Sequence, residues 1–124
     1  MSDDVGVGVK ARLRDALRVA VKARDKVATS ALRSTLGLLD NADAADLADA
    51  PPMEAGRIAG GVHGLGAGEV ARRELSEEQL VAIAREELAR WQTLASDYEG
   101  AGQTEHAARL RAEVATVAAV LDRD

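Results

Sequence analysis

The sequence of 124 residues has no cysteine and no phenylalanine, and it has only one tryptophan, one tyrosine and two prolines. The lack of cysteine excludes disulfide bonds, thiolate nucleophiles and thiolate metal sites. The scarcity of aromatic residues argues against a sheet, because strands are enriched in aromatic and β-branched side chains. No apolar run is long enough to span a bilayer, so we expect no contact with a membrane.

The length suits one domain with a modest core, and the abundant alanines favour helices. The N-terminus, Met1-Ser2-Asp3-Asp4, is acidic and lacks the basic start of a signal peptide, so we expect a cytoplasmic protein. The net charge of −5 is uneven, because residues 1–43 hold 8 Lys/Arg and 6 Asp/Glu whereas residues 76–124 hold 5 and 10. This distribution does not fit a duplex-DNA binder with a broad basic face.

Apolar residues recur at helical spacing through both ends of the chain and predict an all-α protein. The predicted helices span about 8–24, 26–43, 76–100 and 104–121. We expect two helical hairpins, within residues 1–43 and 76–124, that form an open four-helix arrangement. A long Gly/Pro-containing loop over residues 44–75 would join helices 2 and 3, as either a flexible linker or an ordered loop.

Polar residues at the predicted helix starts indicate caps. Asp25 is predicted to cap helix 2, although the break at 24–26 contains no glycine or proline, so that one long helix is the alternative. Ser76 with Gln79 fits a capping box at the start of helix 3. Thr104 is predicted to cap helix 4 in the same way.

Four cations, Lys10, Arg14, Arg18 and Lys22, stand four residues apart along helix 1. Like charges at this spacing slightly destabilise an isolated helix, so another group is expected to offset them. We favour a solvated face with ion pairs to the acidic helices 3 and 4. Binding of phosphate groups or of an acidic partner is the second interpretation.

A second candidate site comprises Arg24, Asp25, Lys26 and Arg33 at the start of helix 2. We favour a structural corner, in which one oxygen of Asp25 caps helix 2 and the other meets Arg33 or Lys22. If the chain holds a ligand site, this corner is the first choice.

The remaining polar and aromatic candidates favour structural roles. Asn41 is expected to cap the end of helix 2 rather than to contact a partner. Trp91 and Tyr98 share the apolar stripe of helix 3, so core packing is favoured over stacking on a base. His63 and His106 have no second ligand at metal spacing. We predict no catalytic residues, no cofactor and no metal, because no acid–base or nucleophile arrangement is visible.

Two segments carry a family resemblance. The first is Ala20-Val21-Lys22-Ala23-Arg24-Asp25-Lys26, followed by Ser30-Ala31-Leu32-Arg33 and Asn41. The second is Leu75-Ser76-Glu77-Glu78, followed by Tyr98-Glu99-Gly100-Ala101-Gly102 and Leu110-Arg111-Ala112-Glu113. In order and rough spacing they resemble the N-terminal helical domain of the YqeY-like family, the GatB/YqeY domain proteins, so that residues 1–124 would form a single YqeY-like domain.

The resemblance implies a relation to the tail of the B subunit of glutamine-dependent tRNA amidotransferase. Family members are labelled with carbon–nitrogen ligase activity that uses glutamine as amido-N-donor, but the chemistry lies elsewhere in that enzyme. The resemblance therefore implies a non-catalytic binding module, with tRNA or amidotransferase subunits as partners. A protein-interaction or oligomerisation module unrelated to tRNA is the alternative.

Two features lead us to expect that tRNA binding by this chain alone is weak. The net charge is −5, and Trp91-Gln92 occupies the place where the family often has a basic pair midway along helix 3. We expect no specific tRNA complex tighter than about micromolar, where charge-driven non-specific binding normally begins.

Overall fold

The computed structural model describes residues 8–48 and 75–123, and within these ranges it contains four helices and no strand. The helices are α1 (Val9–Lys22), α2 (Lys26–Ala48), α3 (Glu77–Gly100) and α4 (Thr104–Leu121). The all-α prediction is confirmed. Of the predicted loop over residues 44–75, residues 49–74 lie outside the described residues. None of the described helices combines the length and the apolar composition that crossing a bilayer requires.

The helices pair as α1 with α2 and α3 with α4, and the two hairpins are joined mainly by packing between α2 and α4. One face of each helix supplies the core, through buried residues three or four positions apart, which is typical of amphipathic helices. The largest fully buried side chains are Leu13, Leu32, Leu39, Val9, Val117 and Thr35. Thr35 is the one polar residue in this core, and its hydroxyl donates to the carbonyl oxygen of Ala31 at 2.9 Å.

The turn between α1 and α2 is closed by two backbone hydrogen bonds. The N–H of Asp25 donates to the carbonyl oxygen of Ala20 at 2.9 Å, and that of Arg24 donates to Val21 at 3.0 Å. This pair of bonds is the Schellman motif, which places one residue in the left-handed region, most often glycine. Here that residue is Arg24, with a φ of 59°.

The turn between α3 and α4 repeats the same motif. The N–H of Gln103 donates to the carbonyl oxygen of Tyr98 at 2.8 Å, and that of Gly102 donates to Glu99 at 3.0 Å. Gly102 has a φ of 84°, a conformation that costs glycine little because it has no Cβ. The two hairpins therefore differ at one equivalent position, which is glycine in one turn and Arg24 in the other.

The helix starts confirm one predicted cap and correct another. Ser76 forms the predicted capping box: its hydroxyl accepts from the N–H of Gln79 at 3.1 Å, and its own N–H donates to Gln79 Oε1 at 2.8 Å. The prediction for Thr104 is wrong, because Thr104 is already the first residue of α4. Gln103 occupies the cap position instead, and it makes no side-chain cap hydrogen bond.

Helix α2 continues to Ala48, five residues beyond its predicted end at residue 43. Asn41 therefore lies inside α2 with an exposed side chain, and its predicted role as a cap is wrong. The alanine-rich sequence after Asn41 favours continued helix. Asp43 also holds this end in place, because its carboxylate accepts from Lys10 Nζ at 2.5 Å and from the N–H of Leu75 at 3.2 Å.

The starts of α1 and α3 lie side by side. The carboxylate of Glu77 accepts a hydrogen bond from the N–H of Val9 at 2.8 Å, so the first turn of α3 supplies the cap that α1 lacks in its own sequence. The fit is close, since a Cβ added at Gly8 would lie 2.8 Å from Glu77 Oε2. This contact holds the first turn of α1 against the first turn of α3.

Candidate functional site

An open groove of about 560 Å³ lies at the turn between α1 and α2. Its lining residues are Val21, Arg24, Lys26, Thr29, Ser30, Arg33 and Ser34. This groove thus brings together all three cations of the predicted ligand-binding corner, Arg24, Lys26 and Arg33. Guanidinium, ammonium and hydroxyl groups are hydrogen-bond donors suited to the oxygen atoms of phosphate.

The sequence of α2 aligns the polar residues of the groove on one face. Lys26 is the first residue of the helix, Ser30 follows one turn later, and Arg33 and Ser34 follow one turn after that. Residues three or four apart are neighbours on a helix surface, so this spacing forms a continuous polar stripe. Arg24 adds its side chain from the turn that precedes the stripe.

The three cations of the groove are available to a ligand. Arg24, Lys26 and Arg33 are exposed, and none of them forms an ion pair with any residue that the structure describes. Three positive charges around one concavity repel one another, and an anion bound between them would relieve that repulsion.

Asp25 has the predicted capping role but not the predicted ion pair. Its Oδ1 atom accepts from the N–H of Ala28 at 3.0 Å, which satisfies a donor in the first turn of α2. Within residues 8–48 and 75–123 its carboxylate forms no ion pair with Arg33 or Lys22, so that part of the prediction is wrong. The carboxylate is committed to the backbone, which leaves the charge of Arg33 unmatched.

Arg24 is the one non-glycine residue with a positive φ in the described part of the chain. The left-handed conformation costs an L-residue with a Cβ roughly 1–2 kcal/mol. The equivalent position of the second hairpin, Gly102, avoids this cost. Strained backbone of this kind concentrates at functional sites, where a particular side chain is needed at that position. At this turn the strain places a guanidinium beside the groove.

Lys10, the first cation of the predicted basic stripe, belongs to the fold. Its ammonium lies 2.9 Å from Asp40 Oδ1 and 2.5 Å from Asp43 Oδ2, both on α2 and not on the predicted helices 3 and 4. The hydrogen bonds to Asp43 and Asp40 raise the pKa of Lys10 above its ordinary value of 10.5. The same bond from Lys10 lowers the pKa of Asp43 below 3.8, against the opposing effect of burial.

The other cations of the stripe are exposed on α1. Arg18 pairs with Asp15 one turn earlier on the same helix. Arg14 and Lys22 form no ion pair with the described residues, so the expected pairing with helices 3 and 4 is not found for them. Lys22 ends α1 just before the groove, and it extends the positive charge of that region.

The two aromatic residues of α3 differ in their packing. Trp91 is half-buried against the core, and its Nε1–H donates to Glu87 Oε2 at 3.0 Å. Tyr98 is half-buried and stacks on the exposed ring of His106, with a centroid distance of 4.9 Å. His63 lies outside the described residues, and the described ones include no cluster of His, Cys, Asp or Glu that could hold a metal ion.

Glu113 is a feature that the sequence analysis missed. This residue of α4 is half-buried, and burial raises its pKa although Arg109 acts in the opposite direction. Its place in the sequence gave no distinguishing signal, because Glu113 follows Arg111 and Ala112 as an ordinary charged residue of an amphipathic helix would. A single carboxyl group of this kind does not form an acid–base pair.

A comparison of the chain with models of known families, with curated proteins and with solved structures finds no match. The groove and its charges are therefore the features of the molecule that indicate a function. The resemblance to the YqeY-like family stays a hypothesis.

Proposed function

We propose that this protein is a non-catalytic binding module that holds a phosphate-bearing partner in the groove formed by Arg24, Lys26 and Arg33. The observation that carries the proposal is the left-handed conformation of Arg24, a position where the second hairpin has Gly102. Following the YqeY-like resemblance, we propose tRNA as the partner. Any carbon–nitrogen ligase chemistry with glutamine as amide donor would then belong to amidotransferase subunits and not to this chain.

The shape and the donors of the groove favour a nucleic-acid backbone over a small ligand. The groove is open, so a polymer can lie along it and leave at both ends, whereas small-molecule sites bury most of the ligand surface. The cations Arg24, Lys26 and Arg33 can each meet a phosphate, and the hydroxyls of Ser30 and Ser34 add donors between them. Such contacts position a backbone without reading a sequence.

The expected affinity is low. Each neutralised phosphate of a single strand contributes a slope of about −0.7 to the logarithmic dependence of the association constant on salt, so three contacts give about −2. The net charge of −5 opposes association with a polyanion. We therefore expect a complex of about micromolar affinity or weaker, which serves to position tRNA for a larger assembly.

A fluorescence anisotropy titration of labelled tRNA over a series of salt concentrations tests the proposal. Replacing Arg24 and Arg33 together by Gln removes two of the three phosphate contacts, so the slope should fall in magnitude by about 1.4. The matched control replaces Arg109 and Arg123 of the second hairpin, which are also exposed, and it should leave the slope unchanged. Equal slopes for the two double variants would refute the groove as the binding site.

One observation favours a protein partner as the second candidate. Val21 at the edge of the groove is 47 % exposed and Val19 is 62 % exposed, and both are apolar surfaces that a phosphate backbone would not use. Val19 does not line the groove, so replacing Val19 by Ser should leave tRNA binding unchanged and should weaken capture of a protein partner such as an amidotransferase subunit. Loss of tRNA binding in this variant would show that the exposed valine does not serve a protein partner alone.

A further inference from the structure

A second groove, of about 570 Å³, runs along the outer face of α3. Its lining residues are Glu87, Ala89, Arg90, Trp91, Thr93, Leu94 and Asp97. Leu94 stands at its centre and is 43 % exposed, which makes it one of three large apolar side chains with high exposure in the described part of the chain. Unlike Val19 and Val21, Leu94 lies on the acidic hairpin and far along the chain from the proposed phosphate groove.

Leu94 lies between an ion pair on one side, Arg90 with Glu87, and the carboxylate of Asp97 on the other. Arg90 lies four residues before Leu94 and Asp97 lies three residues after it, so all three share one face of α3. Arg90 donates through Nε and Nη2 to Glu87 Oε1, which uses two of the five N–H groups of its guanidinium. Asp97 forms no ion pair with any described residue.

This order of charges is self-complementary under a two-fold rotation. If a second copy of α3 lies antiparallel across the first and the axis passes near Leu94, the leucines of the two copies meet at the centre. Arg90 of each copy then faces Asp97 of the other copy, and the same patch serves both sides, as an isologous interface requires. We propose that the protein forms a two-fold symmetric dimer through the outer face of α3.

An antiparallel second copy fits this face better than a parallel second copy or a partner of uniform charge. A parallel copy would place Arg90 against Arg90 and Asp97 against Asp97, which is repulsive. An acidic partner would be repelled by Asp97 and Glu87, and a basic partner would offer no acceptor to the remaining N–H groups of Arg90. Only a surface with the reverse order of charges satisfies both residues, and antiparallel α3 has that order.

The dimer should be weak. Helix α3 has 24 residues and is about 36 Å long, so one antiparallel helix pair buries less than the 1,200–2,000 Å² typical of stable interfaces. We expect dissociation at concentrations of about ten micromolar and association at several hundred micromolar. The proposed phosphate groove lies at the turn between α1 and α2, so both copies would keep it open.

Sedimentation velocity over this concentration range measures the dimer fraction of the wild type and of variants in which the charges at positions 90 and 97 are reversed. The variant Arg90→Asp places two like charges opposite each other at each end of the interface, and Asp97→Arg does the same with the other sign. Each single variant should weaken dimerisation at least about tenfold. The double variant Arg90→Asp with Asp97→Arg restores the order of opposite charges and should recover most of the association.

The control is Arg123→Asp, which reverses an exposed charge near the end of the chain and should leave dimerisation unchanged. All substituted positions are exposed, and circular dichroism checks that each variant keeps its helix content. A wild-type chain that stays monomeric over the whole range would overturn the proposal. So would a dimer that the single reversals leave intact, or one that the double exchange fails to recover.

Discussion

At the scale of single residues, Arg24 links the fold to the proposed function. Its backbone adopts a conformation that suits glycine, and its side chain supplies a cation to the groove. Replacing Arg24 by Gly should therefore raise the free energy of unfolding by about 0.5–1 kcal/mol, because release of strain exceeds the added entropy of the unfolded chain. The same change should weaken tRNA binding. Urea denaturation and the anisotropy titration measure the two effects.

Two further substitutions separate the backbone effect from the charge effect. Arg24→Ala removes the cation but keeps a Cβ, so it should weaken binding without a gain in stability. Gly102→Ala introduces a Cβ at the equivalent turn, where φ is 84°, and should lower stability by about 1–2 kcal/mol. If Arg24→Gly instead lowers stability, the strain argument for this residue is wrong.

The contacts of Asp43 should make stability depend on pH. The hydrogen bond from Lys10 lowers the pKa of Asp43 in the folded protein below the unfolded value near 3.8. Asp43 therefore contributes fully to the free energy of unfolding above that value, and this contribution is lost as the pH falls through the lower folded pKa. The pKa of Lys10 is raised in the folded protein, so Lys10 contributes fully to the free energy of unfolding below pH 10.5. That contribution is lost as the pH rises through the higher folded pKa.

Asp43→Asn should lower the free energy of unfolding by about 1–2 kcal/mol at neutral pH, because the side chain is 13 % exposed and its partners are lost together. This difference from the wild type should shrink as the pH falls below about 4. The matched control is Asp40→Asn: Asp40 is 57 % exposed, so its loss should cost under about 1 kcal/mol. Denaturant titrations at several pH values check both, and a difference independent of pH would contradict the assignment.

At the scale of secondary-structure elements, the sequence predicted what depends on local chemistry. Ser76 and Gln79 stand three residues apart and form the capping box that their spacing indicates. The same rule failed at Thr104, because the Schellman motif that ends α3 fixes where α4 begins and places Gln103 at the cap. The end of α2 was also missed, since contacts of Asp43 with residues distant in sequence stabilise it.

The two residues predicted as caps, Ser76 and Thr104, give a direct comparison. Ser76→Ala should lower the free energy of unfolding by about 1 kcal/mol, because the N–H of Gln79 loses its acceptor. Thr104→Ala should change the free energy of unfolding by less than about 0.5 kcal/mol, since Thr104 is the first residue of α4 and not its cap. Thermal unfolding of the two variants measures the difference, and equal losses would show that the cap at Ser76 contributes little.

The groove could be predicted only in part. The cluster of cations at Arg24, Lys26 and Arg33 was visible in the sequence, because helical spacing places Lys26 and Arg33 on one face. The left-handed conformation of Arg24 was not visible, since no glycine marks the turn. Nor was the exposure of Val21, because an apolar side chain gives no sign in the sequence that it lies at the surface.

At the scale of the whole molecule, the two hairpins have opposite charge. Residues 8–48 hold 8 Lys/Arg and 5 Asp/Glu, a net charge of +3, whereas residues 75–123 hold 5 and 9, a net charge of −4. A polyanion is attracted to the first hairpin and repelled by the second, so the field of the molecule directs it to the turn between α1 and α2. The proposed dimer uses the second hairpin and leaves this polarity intact.

The most direct test of the binding site is a ¹H–¹⁵N correlation titration of the labelled protein with tRNA. We expect the largest amide shifts at the groove, in Arg24, Lys26, Ser30 and Arg33. The equivalent turn at residues 101–103 shares the backbone motif but lacks the cations, so its amides should not shift. Shifts centred on the second hairpin, or none at all at about millimolar concentration, would contradict the account.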